Sequence, residues 1–139
     1  MEAELPTVAI IEDNSDSRLL LKVMLEGRYR VRTYGDGREG IEGLRVERPD
    51  ILILDISLPI MDGYEVVRRL RHDMALKDVP VIALTAHALD HELERLMRAG
   101  FQDFVAKPIL DEEVLFEAID RLLPRSSRPI PIVPDRPRG

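Results

Sequence analysis

The chain has 139 residues, 45% apolar and 33% charged, with no cysteine and a formal net charge of −6. That suffices for one soluble domain with a real core, and it excludes disulfides, thiolate metal sites and any run of membrane-span length. The charge is uneven: residues 124–139 carry +3, which leaves −9 on residues 1–123, and so acidic a body argues against direct nucleic-acid binding.

Thr7-Val8-Ala9-Ile10-Ile11 predicts an apolar strand that stops at Glu12-Asp13-Asn14, two acids and a helix N-cap. A helix over about 15–26 follows, closed by Gly27. Six of its seven residues from Leu19 to Leu25 are apolar. Leu20, Leu21 and Met24 form the natural inward stripe, leaving Leu19 and Val23 at the surface. Arg30-Val31-Arg32-Thr33-Tyr34 alternates and reads as an edge strand. Asp36-Gly37 opens a second helix over about 38–47. Gly40 and Gly43 weaken it, each by up to about 1 kcal/mol relative to Ala.

Ile51-Leu52-Ile53-Leu54 is a continuous aliphatic run, as in a parallel strand buried on both faces, and it ends on Asp55. A buried carboxylate is costly unless paired or bound to a cation. The carboxyl end of such a strand is also where open α/β sheets bind ligands. Asp62-Gly63 starts a helix over about 63–73, with Val66, Val67 and Leu70 at helical spacing. Residues 79–84 form another buried strand, ending at Thr85. A helix over about 89–98 stops at Gly100. Asp103-Phe104-Val105-Ala106 is a last short strand, ending at Lys107-Pro108. Asp111-Glu112-Glu113 begins a helix to about Leu123, with acids where its dipole favours them. Five strands alternating with five helices predict a doubly wound α/β domain, a parallel sheet with helices on both faces, over residues 1–123. Residues 124–139 include five prolines with Arg and Ser between them. They predict a disordered tail, with a docking peptide or a linker as the alternatives.

In such a sheet all strand carboxyl ends share one edge, which collects Glu12, Asp13, Asp55, Thr85 and Lys107. Three carboxylates raise each other's pKa; Lys107 offsets one charge and a divalent cation the other two. Oxygen ligands without Cys or a strand-end His favour Mg²⁺. A hydroxyl and an ammonium beside the acids suit a phosphoryl group, so the chemistry suggested is a carboxylate accepting phosphoryl with metal assistance. His72, His87 and His91 show no metal-ligand pattern; His87 and His91 read as surface residues.

The motifs Ile11-Glu12-Asp13-Asn14, Asp55-Ile56-Ser57-Leu58-Pro59 with Met61-Asp62-Gly63, Leu84-Thr85-Ala86, and Phe104-Val105-Ala106-Lys107-Pro108 resemble the receiver domain of two-component response regulators. The resemblance covers about residues 6–123 and is closest to single-domain receivers. It implies the flavodoxin-like fold with strand order 2-1-3-4-5. It implies that Asp55 accepts a phosphoryl group from a histidine kinase or a histidine phosphotransfer protein. Mg²⁺ is then expected at Asp13, Asp55, the Ser57 backbone carbonyl and, through water, Glu12. Thr85 and Lys107 are expected to bind phosphoryl oxygens, Phe104 to act as the switch aromatic, and Lys107-Pro108 to be a cis peptide. Phe104 stands where many members have Tyr, so any switching there rests on ring burial alone.

What this implies is a cytoplasmic signalling domain rather than a conventional enzyme. It would signal to a downstream protein target, without nucleic-acid contact or membrane insertion. A haloacid-dehalogenase-type phosphatase would need a second Asp where Ser57 stands. A flavodoxin-type module would need a Ser/Thr/Gly-rich phosphate loop where Glu12-Asp13 stands. The alternative left open is a receiver-like interaction module that works without phosphorylation.

Overall fold

The computed structural model describes residues 4–123. The Pro- and Arg-rich stretch 124–139, expected to be disordered, lies outside the described residues. In chain order the elements are β1 (Thr7–Ile11), α1 (Ser15–Leu25), β2 (Arg30–Tyr34), α2 (Gly37–Val46), β3 (Ile51–Asp55), α3 (Gly63–Arg71), β4 (Val81–Thr85), α4 (Asp90–Ala99), β5 (Asp103–Ala106) and α5 (Glu112–Leu122). The five strands are all parallel in the order β2-β1-β3-β4-β5, as expected.

The continuous aliphatic runs follow from helices on both faces. Successive side chains of a strand point to opposite sides. Ala9 and Ile11 of β1 face a core made with Ile41 and Leu44 of α2, Val66, Val67 and Leu70 of α3 and Leu96 of α4. Val8 and Ile10 face the other core, with Leu21 and Leu25 of α1 and Leu115, Phe116 and Ile119 of α5. β1, β3 and β4 are buried at every position.

Helix starts are written in side chains. Asn14 Oδ1 accepts from the Ser17 amide at 2.9 Å, Asp36 Oδ1 from Glu39 at 2.7 Å and Asp62 Oδ1 from Glu65 at 3.0 Å. Each is an N-cap that fixes where a helix leaves the ligand edge. α4 is the exception, with Leu89 at its N-cap position and no side-chain cap.

Four details differ from the sequence expectation. Leu20 does not point inward: it is 60% exposed, and the buried pair is Leu21 and Leu25. Those two are one turn apart, whereas Leu20 lies about 100° round the helix from Leu21. Gly40 and Gly43 do not undermine α2. A side chain at Gly40 would meet the Ile11 side chain, and one at Gly43 the Tyr34 ring, so the glycines let α2 lie close on β1 and β2. β4 begins at Val81, since Pro80 has no N–H for the ladder and the Val79 amide closes a turn onto Leu76 O at 3.1 Å. α3 ends at Arg71, where the amide of His72, its C-cap, turns back onto Arg69 O at 3.2 Å.

Candidate functional site

The parallel topology brings Glu12 and Asp13 from the end of β1, Asp55 from β3, Thr85 from β4 and Lys107 from just beyond β5 to one edge. Lys107 and Thr85 are tied through the backbone, the Lys107 amide donating to Thr85 O at 2.8 Å. The Lys107-Pro108 peptide is cis.

Asp55 is the most constrained group of the cluster. It is buried, its Oδ2 accepts from Lys107 Nζ at 2.9 Å, and its Oδ1 accepts from the Ser57 amide at 2.9 Å. Burial alone would raise its pKa. Hydrogen bonds from Glu12, Lys107 and the Ser57 amide outweigh burial and hold it below the usual carboxylate range. Glu12 is also buried; Lys107 Nζ stands 3.2 Å from its Oε1, and its Oε2 accepts from the Asn14 amide at 3.3 Å. Burial and then the neighbouring Asp55 push the Glu12 carboxyl up to about 7. Burial pulls Lys107 down, but the two carboxylates outweigh it and raise its pKa, so it stays an ammonium.

Asp13 is exposed at the mouth of the cluster. Carboxylate oxygens of Glu12, Asp13 and Asp55 lie within 4.8 Å of one another. Three hard oxygen donors around one point, without nitrogen or sulfur, fit a small divalent cation such as Mg²⁺. The Ser57 side chain is exposed, and its place in the cluster comes from its backbone. Thr85 is buried, and its Oγ1 both donates to His87 O and accepts from the His87 amide, each at 3.0 Å. Phe104 is not part of the polar cluster; it is half-buried and packs on the core under α2, α3 and α4. His87 and His91 are exposed, and His91 Nε2 lies 3.6 Å from Glu92 Oε1.

Arg18 is a contributor that the sequence reading missed. From the first turns of α1, its Nη1 donates to Glu12 O at 2.9 Å and to Asp13 O at 3.5 Å. It therefore pins the loop that carries both acids. The available signal was an arginine one turn beyond the N-cap Asn14, on the side that faces back to the strand end.

The profile of the response regulator receiver domain matches residues 8–120. The hybrid signal transduction histidine kinase D of Dictyostelium discoideum is 32% identical over 123 residues, 88% of this chain but only 8% of that protein. The polar-differentiation response regulator DivK of Brucella anthropi is 37% identical over 105 residues, 74% of this chain and 85% of DivK. Among solved structures, the receiver domain of the sensor histidine kinase PA1611 of Pseudomonas aeruginosa PAO1 is similar with a TM-score of 0.77 at 32% identity, covering 85% of this chain and 97% of that one. That structure has a magnesium ion coordinated in its active-site cleft. Two-component kinases and regulators thus share this fold and most of this length, and the chain belongs to the response regulator receiver domain family.

Proposed function

We propose that this chain is the phosphoacceptor of a two-component relay and that Asp55 takes the phosphoryl group from a phosphohistidine. The observation that carries this reading is the state of Asp55. It is a buried carboxylate kept ionised and fixed in direction by a cation on one oxygen and a backbone amide on the other. An ionised, oriented oxygen at an open sheet edge is what a nucleophile requires. As the new P–O bond to Asp55 forms, the P–N bond of the donor breaks, and its electron pair leaves on the imidazole nitrogen.

In this reading Asp13, Asp55, the Ser57 carbonyl and, through water, Glu12 hold Mg²⁺. When bound, the cation supplies neutralisation of the phosphoryl oxygens. Lys107 and Thr85 bind phosphoryl oxygens, and Phe104 reports the change by ring burial. The chain assists its own phosphorylation and dephosphorylation without turning over a separate substrate. Its partners are proteins of the cytoplasm, a histidine kinase or histidine phosphotransfer protein and a downstream target. Among the described residues no helix is long and apolar enough to cross a membrane. Leu19 and Val23, exposed on the helix that starts beside Asp13, offer the donor an apolar landing.

The test is labelling from phosphoramidate with and without Mg²⁺, read by mass spectrometry. A single alkali-labile phosphoryl group should appear on Asp55 and require Mg²⁺, and Asp55→Asn should take none. Wild-type labelling of Asp55→Asn would place the acceptor elsewhere. A folded wild-type chain that never labels would be an interaction module that works without phosphorylation.

A further inference from the structure

At the end of β1 three consecutive carbonyls accept from one residue. The Arg18 amide donates to Asn14 O at 2.9 Å, and its Nη1 donates to Glu12 O at 2.9 Å and to Asp13 O at 3.5 Å. The Glu12 amide donates to Tyr34 O at 3.1 Å, so both backbone groups of Glu12 are held, one by β2 and one by Arg18. Asp13 has less. Its side chain is exposed and accepts no hydrogen bond among the described residues, and its carbonyl has the long contact from Arg18. The direction of the Asp13 carboxylate is therefore set through its backbone, and Arg18 is the side chain that holds that backbone.

The guanidinium lies against the turn from β2 to α2, at Gly35. A Cβ at position 35 would stand 3.3 Å from Arg18 Nη1 and 3.8 Å from Arg18 Cζ, with Glu39 Oε2 also at 3.8 Å. The crowded nitrogen is the one that holds the two carbonyls. At 3.3 Å a methyl is tighter than ordinary van der Waals contact, so it displaces Nη1 by a few tenths of an ångström. The contact to Asp13 O, already 3.5 Å, then passes out of hydrogen-bond range. The turn is held where it is by Asp36 Oδ1, which accepts from the Glu39 amide at 2.7 Å. Gly35 is not one of the glycines with positive φ, so alanine there meets no backbone strain and acts through this contact.

We propose that Arg18 is a positioning residue for the cation site and works in the slot that Gly35 leaves open. It aims the Asp13 carboxylate at the point it shares with Glu12 and Asp55, whose oxygens lie within 4.8 Å of one another. The role rests on the Mg²⁺ reading above. Charge and positioning act here in opposite directions. A guanidinium repels a divalent cation, so if its charge ruled, removing Arg18 would tighten Mg²⁺ binding. A carboxylate that has to be ordered on binding holds the cation less tightly, so if positioning rules, removing Arg18 weakens it. Lysine keeps the charge but not the planar fork.

The isotope-labelled chain, titrated with MgCl₂ and followed by its amide shifts, gives the half-saturating concentration. Amide relaxation in EDTA gives the order of Asp13 without metal. Arg18→Ala should raise the half-saturating concentration roughly tenfold and lower the order of Asp13 in EDTA. Arg18→Lys should recover only part of both. Gly35→Ala should raise the concentration at least about twofold, and add nothing in the Arg18→Ala background, where the contact it disturbs is gone. Tighter or unchanged Mg²⁺ binding in Arg18→Ala overturns the proposal, as does a Gly35→Ala effect that survives in the double variant. Gly35→Ala removes no side-chain hydrogen bond and decides the matter if Arg18→Ala does not fold: weaker Mg²⁺ binding supports the slot, and unchanged binding overturns it. A wild-type chain without any Mg²⁺ response overturns the metal reading and this one with it. A wild-type response that the variants leave unchanged overturns this one alone.

Discussion

The Lys107 ammonium donates to Asp55 Oδ2 at 2.9 Å across 52 residues of sequence, joining the edge strand β5 to the central strand β3. Asp55 is almost fully buried, whereas the Lys107 side chain is 31% exposed. Lys107→Ala leaves a buried carboxylate without its cation. Breaking a buried pair costs several kcal/mol; solvent at Lys107 reduces this to about 2 kcal/mol. Urea unfolding in metal-free buffer should show that loss, and Asp55→Asn combined with Lys107→Ala should recover part of it. An unchanged midpoint in Lys107→Ala would make the contact a surface pair of no consequence.

Once Glu12 is ionised, three carboxylates against one ammonium leave the edge at −2. Mg²⁺ should therefore stabilise the fold by mass action, roughly 1–3 kcal/mol at saturating metal. Asp13→Asn should abolish that gain, measured as the Mg²⁺-dependent rise in thermal midpoint. A rise retained in full by this variant would exclude Asp13 as a ligand.

Glu12 sets the pH dependence without metal. Its carboxyl is raised from 4.5 to about 7, so the folded chain binds more protons than the unfolded chain between these values. The associated stability is fully present below the lower value and is lost as pH rises through the upper one, on the order of 3 kcal/mol. Asp55 has the opposite sign, because its lowered pKa contributes stability above the ordinary Asp range that is lost only in stronger acid. The two windows are separate, and from about pH 5 to 7.5 Glu12 decides. Urea midpoints in EDTA should fall across that window and flatten in Glu12→Gln. Mg²⁺ affinity should rise over the same range, since the metal prefers the ionised acid.

Exposure divides the α1 leucines into two classes. Leu19→Glu with Val23→Glu should change stability by no more than about 0.5 kcal/mol, as at other exposed sites. Leu25→Ala, fully buried in the wild type, should cost about 2–5 kcal/mol. The double glutamate variant should label normally from phosphoramidate. It should accept phosphoryl from its phosphohistidine donor at least tenfold more slowly, a difference of about 1.4 kcal/mol. Equal loss by both routes would remove α1 as the landing site.

Ile60 has φ +68°, in the left-handed region, and its side chain is fully exposed five residues past the end of β3. A β-branched residue is strained there, and no burial compensates. Ile60→Asn should raise the thermal midpoint by the equivalent of about 1 kcal/mol. A lower midpoint would show that Ile60 makes a contact in solution that holds the loop.

Much of the fold was legible because two of the strands end on residues that cannot continue them cheaply. Ile51 to Leu54 stop at an acid, and Asp103 to Ala106 stop at Lys-Pro. The facing of α1 was harder, since six apolar residues in seven let several stripes compete, and only the position of β1 chooses Leu21 and Leu25. Gly40 and Gly43 read as weaknesses because propensity is local, whereas the close approach of α2 to Ile11 and Tyr34 is tertiary. Arg71 was read only as part of a helix end. It donates instead to Gly100 O at 2.7 Å, Val79 O at 2.8 Å and Gln102 Oε1 at 2.8 Å, partners 8 to 31 residues away that periodicity cannot supply. The acids and Lys107 were legible as a set because parallel topology delivers every strand end to one edge, but the hydrogen-bond order within the set needed coordinates.

A threonine hydroxyl has a single proton. In Thr85 that proton is already committed to His87 O, while the His87 amide leans on the same oxygen. Any oxygen arriving from the Asp55 side that takes the proton must take it from His87. The residues from Ala86 to Leu89 then lose a tether just where α4 starts without a side-chain cap. On the proposed reading, occupancy of the edge and the Thr85–His87 O tether would be alternative fates of one hydrogen atom.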